Sequence, residues 1–138
     1  MDQKAYNLQL IEEFRASRHQ AGGPFEKRQL LVLTTTGARS GQRHSTPMMF
    51  VREGDGLMVI ASNAGAPQHP DWYHNLVAHP QVTVEVGTET FEATAVVVQG
   101  EERQRLWDSL VVAFPFFAEH QAKVTRQIPL VLLTRRAS

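Results

Sequence analysis

Two apolar runs of β character, Leu30–Leu33 and Met48–Val51, are joined by Thr34-Thr35-Thr36-Gly37-Ala38-Arg39-Ser40-Gly41-Gln42-Arg43-His44-Ser45-Thr46-Pro47. A tight hairpin needs only a few turn residues, and an Asn-Gly or Asp-Gly pair would serve. This connection is longer, basic and rich in hydroxyl groups. Glycine lets backbone N–H groups turn toward a ligand, and arginine meets phosphate or carboxylate oxygens with two parallel hydrogen bonds. The stretch reads as an anion cradle between two strands. The alternative is a solvated loop with two surface arginines.

Short strands and turns continue through the chain. Thr46–Glu53 and Leu57–Ser62 flank the turn Gly54-Asp55-Gly56, and Val82, Val84 and Val86 alternate with Thr83 and Glu85. Gly87 turns that strand into a further one over Thr90–Val98, and Ile128–Thr134 closes the sequence as a strand. Helical spacing is found over about Gln3–His19, from Asp71 as N-cap to His79-Pro80 with Trp72, Leu76 and Val77 on one side, and from Gly100 to Pro115. Phe116–Lys123 adds a turn or two of helix. Asn63–Pro70, with its small residues and two prolines, is a loop. About six strands and three or four helices, with the strands joined by short turns, give an α+β fold around a mostly antiparallel sheet. Closure into a small barrel would remove its exposed edges.

With 138 residues, one domain spanning 1–138 is expected, with a helix within 1–22 and a barrel over 29–134. Acidic and basic side chains balance at 14 each, which argues against nucleic acid as a partner. Cysteine is absent, so thiol catalysis and cysteine-ligated metals are excluded. With no apolar run of the ~18 residues a membrane span needs and no signal-peptide core, a cytoplasmic protein is expected. The amphipathic N-terminal helix leaves open packing, a ligand cover or a peripheral membrane contact.

His69, His74 and His79 recur every five residues, a spacing that does not share a helical face, so no metal site is expected. Ser45 has no histidine–carboxylate pair in register for serine hydrolysis. Trp107 with Leu106 and Leu110 reads as helix packing. Phe114, Phe116 and Phe117 read either as a pocket wall or as a buried helix face.

Thr36-Gly37-x-Arg39-Ser40-Gly41-x-Arg43, Thr46-Pro47, Ala61-Ser62, Gly65-Ala66-Pro67, His69-Pro70-x-Trp72-Tyr73-x-Asn75-Leu76, His79-Pro80, Gly100-Glu101-Glu102-Arg103, Leu106-Trp107 and Ile128-Pro129 occur in this order. Together they resemble the deazaflavin-dependent nitroreductases, also called coenzyme F420-dependent quinone reductases, of actinobacteria. The resemblance runs from about Gln29 to Thr134. It implies a split β-barrel of the FMN-binding type, with a deazaflavin ring in a groove and its phospholactyl-oligoglutamate tail along a basic channel.

By the same resemblance, Arg39 and Ser40 match the tail-binding turn, and Thr46, Pro47 and Met48 match the segment along the ring and its linker. Ser62, Asn63 and Ala64 match a second cofactor loop, and Asp71, Trp72 and Asn75 match the short helix facing the groove. Gly41, Arg43 and Ser45 complete the expected cofactor-binding set. Two positions depart from the family pattern: Ala38 stands where a second basic residue is common, and Asn63 where lysine or glycine is common. Met49, Phe114, Phe117 and His120 stand where the nitroaromatic-reducing member carries tyrosines near its substrate. They are the expected pocket residues, with His120 a candidate proton donor.

The implied activity is hydride transfer from reduced F420 to a quinone-like, nitroaromatic or other conjugated small-molecule acceptor. No catalytic acid, base or metal is then required, because the cofactor carries the chemistry. Two alternatives stand beside it: the same barrel using FMN in a reductase or oxidase, and a non-catalytic deazaflavin-binding module. Lys27, Arg28, Arg39 and Arg43 would suit either the single phosphate of FMN or a longer tail. Homodimer formation fits this fold as well as a monomer does.

Overall fold

The structure is a computed structural model and describes residues 3–17 and 30–136. Lys27 and Arg28 lie outside the described residues. Helix α1 (Gln3–Ser17) precedes strands β1 (Leu30–Thr36), β2 (Arg43–Met49), β3 (Val51–Glu53) and β4 (Gly56–Ile60). A 3₁₀ turn (Asn63–Gly65) and helix α2 (Asp71–Ala78) lead to β5 (Gln81–Val86) and β6 (Glu89–Val97). Helices α3 (Gly100–Ala113) and α4 (Phe116–Ala122) then precede β7 (Leu130–Arg135).

Among the described residues, seven strands form one antiparallel sheet in the order β2-β1-β5-β6-β7-β4-β3. The two strands at its ends are consecutive in the chain and separated by Phe50 alone. One extended segment therefore pairs with β1 through its first half and with β4 through its second. This curls the sheet into a half-barrel and closes it covalently at Phe50. The expectation of about six strands is corrected here. Thr46–Glu53 was read as one strand, yet its halves pair with opposite ends of the sheet.

Register sorts the side chains. Leu31 and Leu33 on β1 stand opposite Met48 and Thr46 on β2 and opposite Val86 and Val84 on β5. Directly opposed residues share a face, so these point into the barrel. There they join Phe50, Leu57, Val59, Val82, Ala93, Ala95, Val131 and Leu133, and Leu76 of α2 plugs the same core. Burial of each large aliphatic side chain contributes about 1.5–3 kcal/mol.

The outer face is covered in two places. Ile11 and Phe14 of α1 pack on Val32, while Arg15 holds Glu85 of β5 through two hydrogen bonds of 3.0 and 2.7 Å. Leu106, Leu110 and Phe117 of α3 and α4 pack on Met58 and Leu130. Arg103, buried in the first turn of α3, donates to the Ile128 carbonyl at 2.6 Å and ties the helix to the start of β7.

Two details of α2 also differ from expectation. Pro70 is the N-cap and Asp71 the first helical residue. The helix buries Asn75 and Leu76, whereas Val77 is 56% exposed. Trp72, Asn75 and Leu76 follow the three-and-four spacing of one helical face, and Val77 falls outside it.

Candidate functional site

The β1–β2 loop is closed by its own backbone. Gly37 N–H donates to the Gln42 carbonyl at 2.7 Å, and Gly41 N–H donates to the Gly37 carbonyl at 3.0 Å. Ser40 Oγ accepts the Gln42 N–H at 3.1 Å. A Cβ at Gly37 would lie 2.4 Å from Ser40 Oγ and 3.1 Å from His44 Nε2, so the loop closes this tightly only around glycine. Gly41 adopts the left-handed φ of +72° that its turn requires.

Helix α2 anchors the loop from the side. Asn75 Oδ1 accepts the Ala38 N–H at 3.0 Å, and Asn75 Nδ2 donates to Thr35 Oγ1 at 3.2 Å. Arg43 donates to Thr36 Oγ1 at 3.0 Å and to Thr83 Oγ1 at 2.6 Å, and Thr83 passes its own proton toward Glu92 at 2.9 Å. The Ser45 and Thr34 hydroxyls lie 2.7 Å apart. Among the described residues, neither Arg39 nor Arg43 is ion-paired with a carboxylate.

These residues border an open groove of about 1250 Å³. Arg43 and Ser45 reach it from one face of β2, and His44 and Thr46 from the other, which places the groove over the free edge of that strand. Asp71, Trp72, His74 and Asn75 of α2 form one wall, and Asn7 and Leu8 of α1 contribute from the opposite side of the sheet. Asp71 is the one carboxylate among the described lining residues.

Of the expected cofactor set, Arg39, Ser40, Arg43, Ser45, Thr46, Asp71, Trp72 and Asn75 thus share one groove. Gly41 shapes the loop tip, Pro47 stands opposite Val32 on the outer face, and Met48 packs against the barrel core. Ser62, Asn63 and Ala64 lie elsewhere, in the turn after β4 that packs on α4, where Gly65 approaches His120 and Lys123. Met49 and Phe114 pack against the outer cluster, Phe117 is a buried member of it, and the His120 ring flanks Phe117 with its Nδ1 buried and unpartnered. The structure does not bring these pocket candidates into the groove lining.

His44, His74, Thr35, Asn7 and Leu8 were not anticipated. His44 was legible, because it alternates with Thr46 and Met48 and so shares their inward face. The approach of α1 leaves no local signal. His69 and His74 stand with ring centroids 5.6 Å apart, and His79 caps the end of α2. Burial, the Arg126 cation and His74 together hold the His69 pKa below the ordinary imidazole value of 6.5.

A half-barrel closed at one residue, with a basic groove over its free strand edge, defines the split-barrel class. The sequence profile of the F420H(2)-dependent quinone reductases matches residues 9–135, and the chain belongs to that family. It is 39% identical over 109 residues to an F420H(2)-dependent quinone reductase of Mycobacterium tuberculosis, covering 77% of this chain and 73% of the relative. A solved structure described as an F420-H2 dependent reductase matches with a TM-score of 0.69 at 40% identity, over 77% of this chain and 94% of the other. Another, described as a domain-swapped dimer, matches with a TM-score of 0.70 at 34% identity, over 91% and 98% of the two chains. The family and the fold class expected from the sequence are both met.

Proposed function

We propose that this protein is an F420H2-dependent oxidoreductase that holds its cofactor in the groove over β2 and reduces a quinone-like acceptor. Family membership supports the cofactor and the acceptor class. The observation that carries the location is the pair of arginines with no carboxylate ion partner among the described residues, Arg39 and Arg43, at a groove walled by Trp72. A polyanionic tail needs this kind of donor set, and guanidinium groups hold carboxylate or phosphate oxygens in fixed geometry. A large open groove also suits an extended ligand better than an enclosed pocket.

When bound, reduced F420 supplies the hydride that passes to the electron-poor acceptor. Arg39 and Arg43 bind the anionic tail, and the self-bonded loop holds Arg39 and Ser40 in place. Trp72, half-buried against the barrel core, keeps water from the inner wall. His44 and His74 contribute imidazole rings to the described lining. The direct test is to mix F420H2 with a soluble quinone without oxygen and follow the return of oxidised F420. Turnover that depends on Arg39 supports the reading, and inactivity across a quinone panel counts against it.

The reading extends to self-association, supported by the relative described as a domain-swapped dimer, which sedimentation velocity would test. It extends also to peripheral membrane contact through α1, supported by Tyr6 and Leu8 at 52% and 54% exposure and testable by vesicle flotation. No helix among the described residues is long and apolar enough to cross a membrane.

A further inference from the structure

The guanidinium of Arg126, between α4 and β7, is bound to a single stretch of chain. It donates to the carbonyls of Ala61 at 3.2 Å and Ser62 at 2.8 Å, and twice to that of Ala66 at 3.3 and 3.2 Å. It also meets His69 Nδ1 at 3.0 Å. Arginine can only donate, so Nδ1 accepts and the neutral ring carries its proton on Nε2. No described carboxylate is ion-paired with Arg126. The cation is balanced by carbonyl dipoles, all from residues 61–69.

Bonds inside the stretch shape its turn: Gly65 N–H donates to the Ser62 carbonyl at 2.9 Å, Ala66 N–H to that of Asn63 at 3.0 Å, and Asn63 Nδ2 to that of Gln68 at 3.0 Å, while Arg126 fastens it to the chain before β7. Asn63, Ala64 and Gly65 follow one another at φ values of 50°, 53° and 80°. The left-handed region costs a residue with a Cβ roughly 1–2 kcal/mol, and such a backbone persists only where its surroundings fix it. Immediately beyond lie Pro70 and α2, whose Trp72 and Asn75 wall the groove and whose Asn75 anchors the loop bearing Arg39.

We propose that Arg126 is a positioning residue: by clamping residues 61–69 it seats α2, and through α2 it sets the shape of the groove. It touches none of the groove itself. The proposal rests on the reading of that groove as the cofactor site.

Arg126→Gln, Arg126→Lys and Arg126→Ala would be compared for F420 affinity and for amide hydrogen exchange, resolved by peptide. Each should weaken F420 binding by about tenfold or more, since charged hydrogen bonds are lost. Exchange should quicken over residues 61–75 while β5 and β6 keep wild-type protection. Lysine should not rescue, because one ammonium cannot reach four acceptors in the guanidinium plane. Millimolar ethylguanidinium should restore Arg126→Ala in part, which a loss of general stability would not permit.

Wild-type affinity together with wild-type exchange over 61–75 in Arg126→Gln would overturn the proposal. So would faster exchange spread evenly through β5 and β6 with no ethylguanidinium rescue, which marks a general folding role. A wild-type protein that fails to bind F420 would sink the cofactor reading of the groove. The exchange contrast would still decide whether Arg126 holds α2.

Discussion

The side-chain oxygen of Asn75 accepts the backbone N–H of Ala38 at 3.0 Å, while its amide nitrogen donates to Thr35 at 3.2 Å. One buried amide thus fastens α2 both to Thr35, near the end of β1, and to the loop that follows the strand. Asn75 was expected among the cofactor ligands. Through its bond to Ala38 it fixes the backbone directly before Arg39 and Ser40.

Asn75→Leu keeps the branched shape and removes both bonds, leaving the Ala38 N–H without its acceptor. We expect a stability loss of about 1–3 kcal/mol and weaker F420 binding, because a lost partner for a buried polar group costs its desolvation. Asn75→Asp retains an acceptor for Ala38 and should bind closer to wild type. Thermal melts and cofactor titrations of the two variants check this, and equal binding by Leu and Asp would contradict it.

Arg39→Ala should weaken binding of full-tailed F420 by about 1.5–3 kcal/mol if Arg39 makes a charged hydrogen bond to the tail. A deazaflavin lacking the tail should bind variant and wild type alike. An unchanged dissociation constant for the full-tailed cofactor would remove Arg39 from the site.

Gly37→Ala places a methyl group 2.4 Å from Ser40 Oγ. The hydroxyl must move, which breaks its bond to the Gln42 N–H and costs on the order of 1 kcal/mol. Adding Ser40→Ala removes the clashing atom, so the double variant should be more stable than the sum of the single changes indicates. Strict additivity in denaturant melts would show that the loop yields without resistance.

His69 predicts a pH dependence whose sign follows from its partners. It faces Arg126, Tyr73 and His74, and burial, the Arg126 cation and His74 together favour its neutral form. As pH falls through 6.5 the unfolded histidine takes its proton first, so the unfolded state is favoured and stability drops. The loss is complete once pH has passed below the depressed folded value, and above the unfolded value His69 contributes no slope. His69→Gln should melt with a shallower pH dependence than wild type on the acid side of neutrality. Identical slopes would show that another group titrates.

Much of the fold was legible because strand alternation is local. Val82, Val84 and Val86 announce an inward face, and Gly54-Asp55-Gly56 and Gly87 announce turns. The break at Phe50 was not legible, since Met49 and Val51 belong to one apolar run and only pairing across the whole sheet divides them. On α2 the buried polar Asn75 hid the true helical face, and exposed Val77 took its place in the reading. In the groove, Arg39, Ser40 and Arg43 stood out as a basic glycine loop. The contributions of α1 and the clamp by Arg126 depend on contacts between residues far apart in sequence, which no local pattern encodes.

In the proposed arrangement F420 occupies the groove beside Trp72. The chain has two tryptophans, Trp72 in the groove and Trp107 packed on the outer cluster, so intrinsic fluorescence can report which one meets the ligand. Oxidised F420 and FMN would be titrated into wild type, Trp72→Phe and Trp107→Phe. F420 should bind far more tightly than FMN, with quenching that survives Trp107→Phe and disappears in Trp72→Phe. Tighter binding of FMN, or quenching that survives the loss of Trp72, would contradict this arrangement.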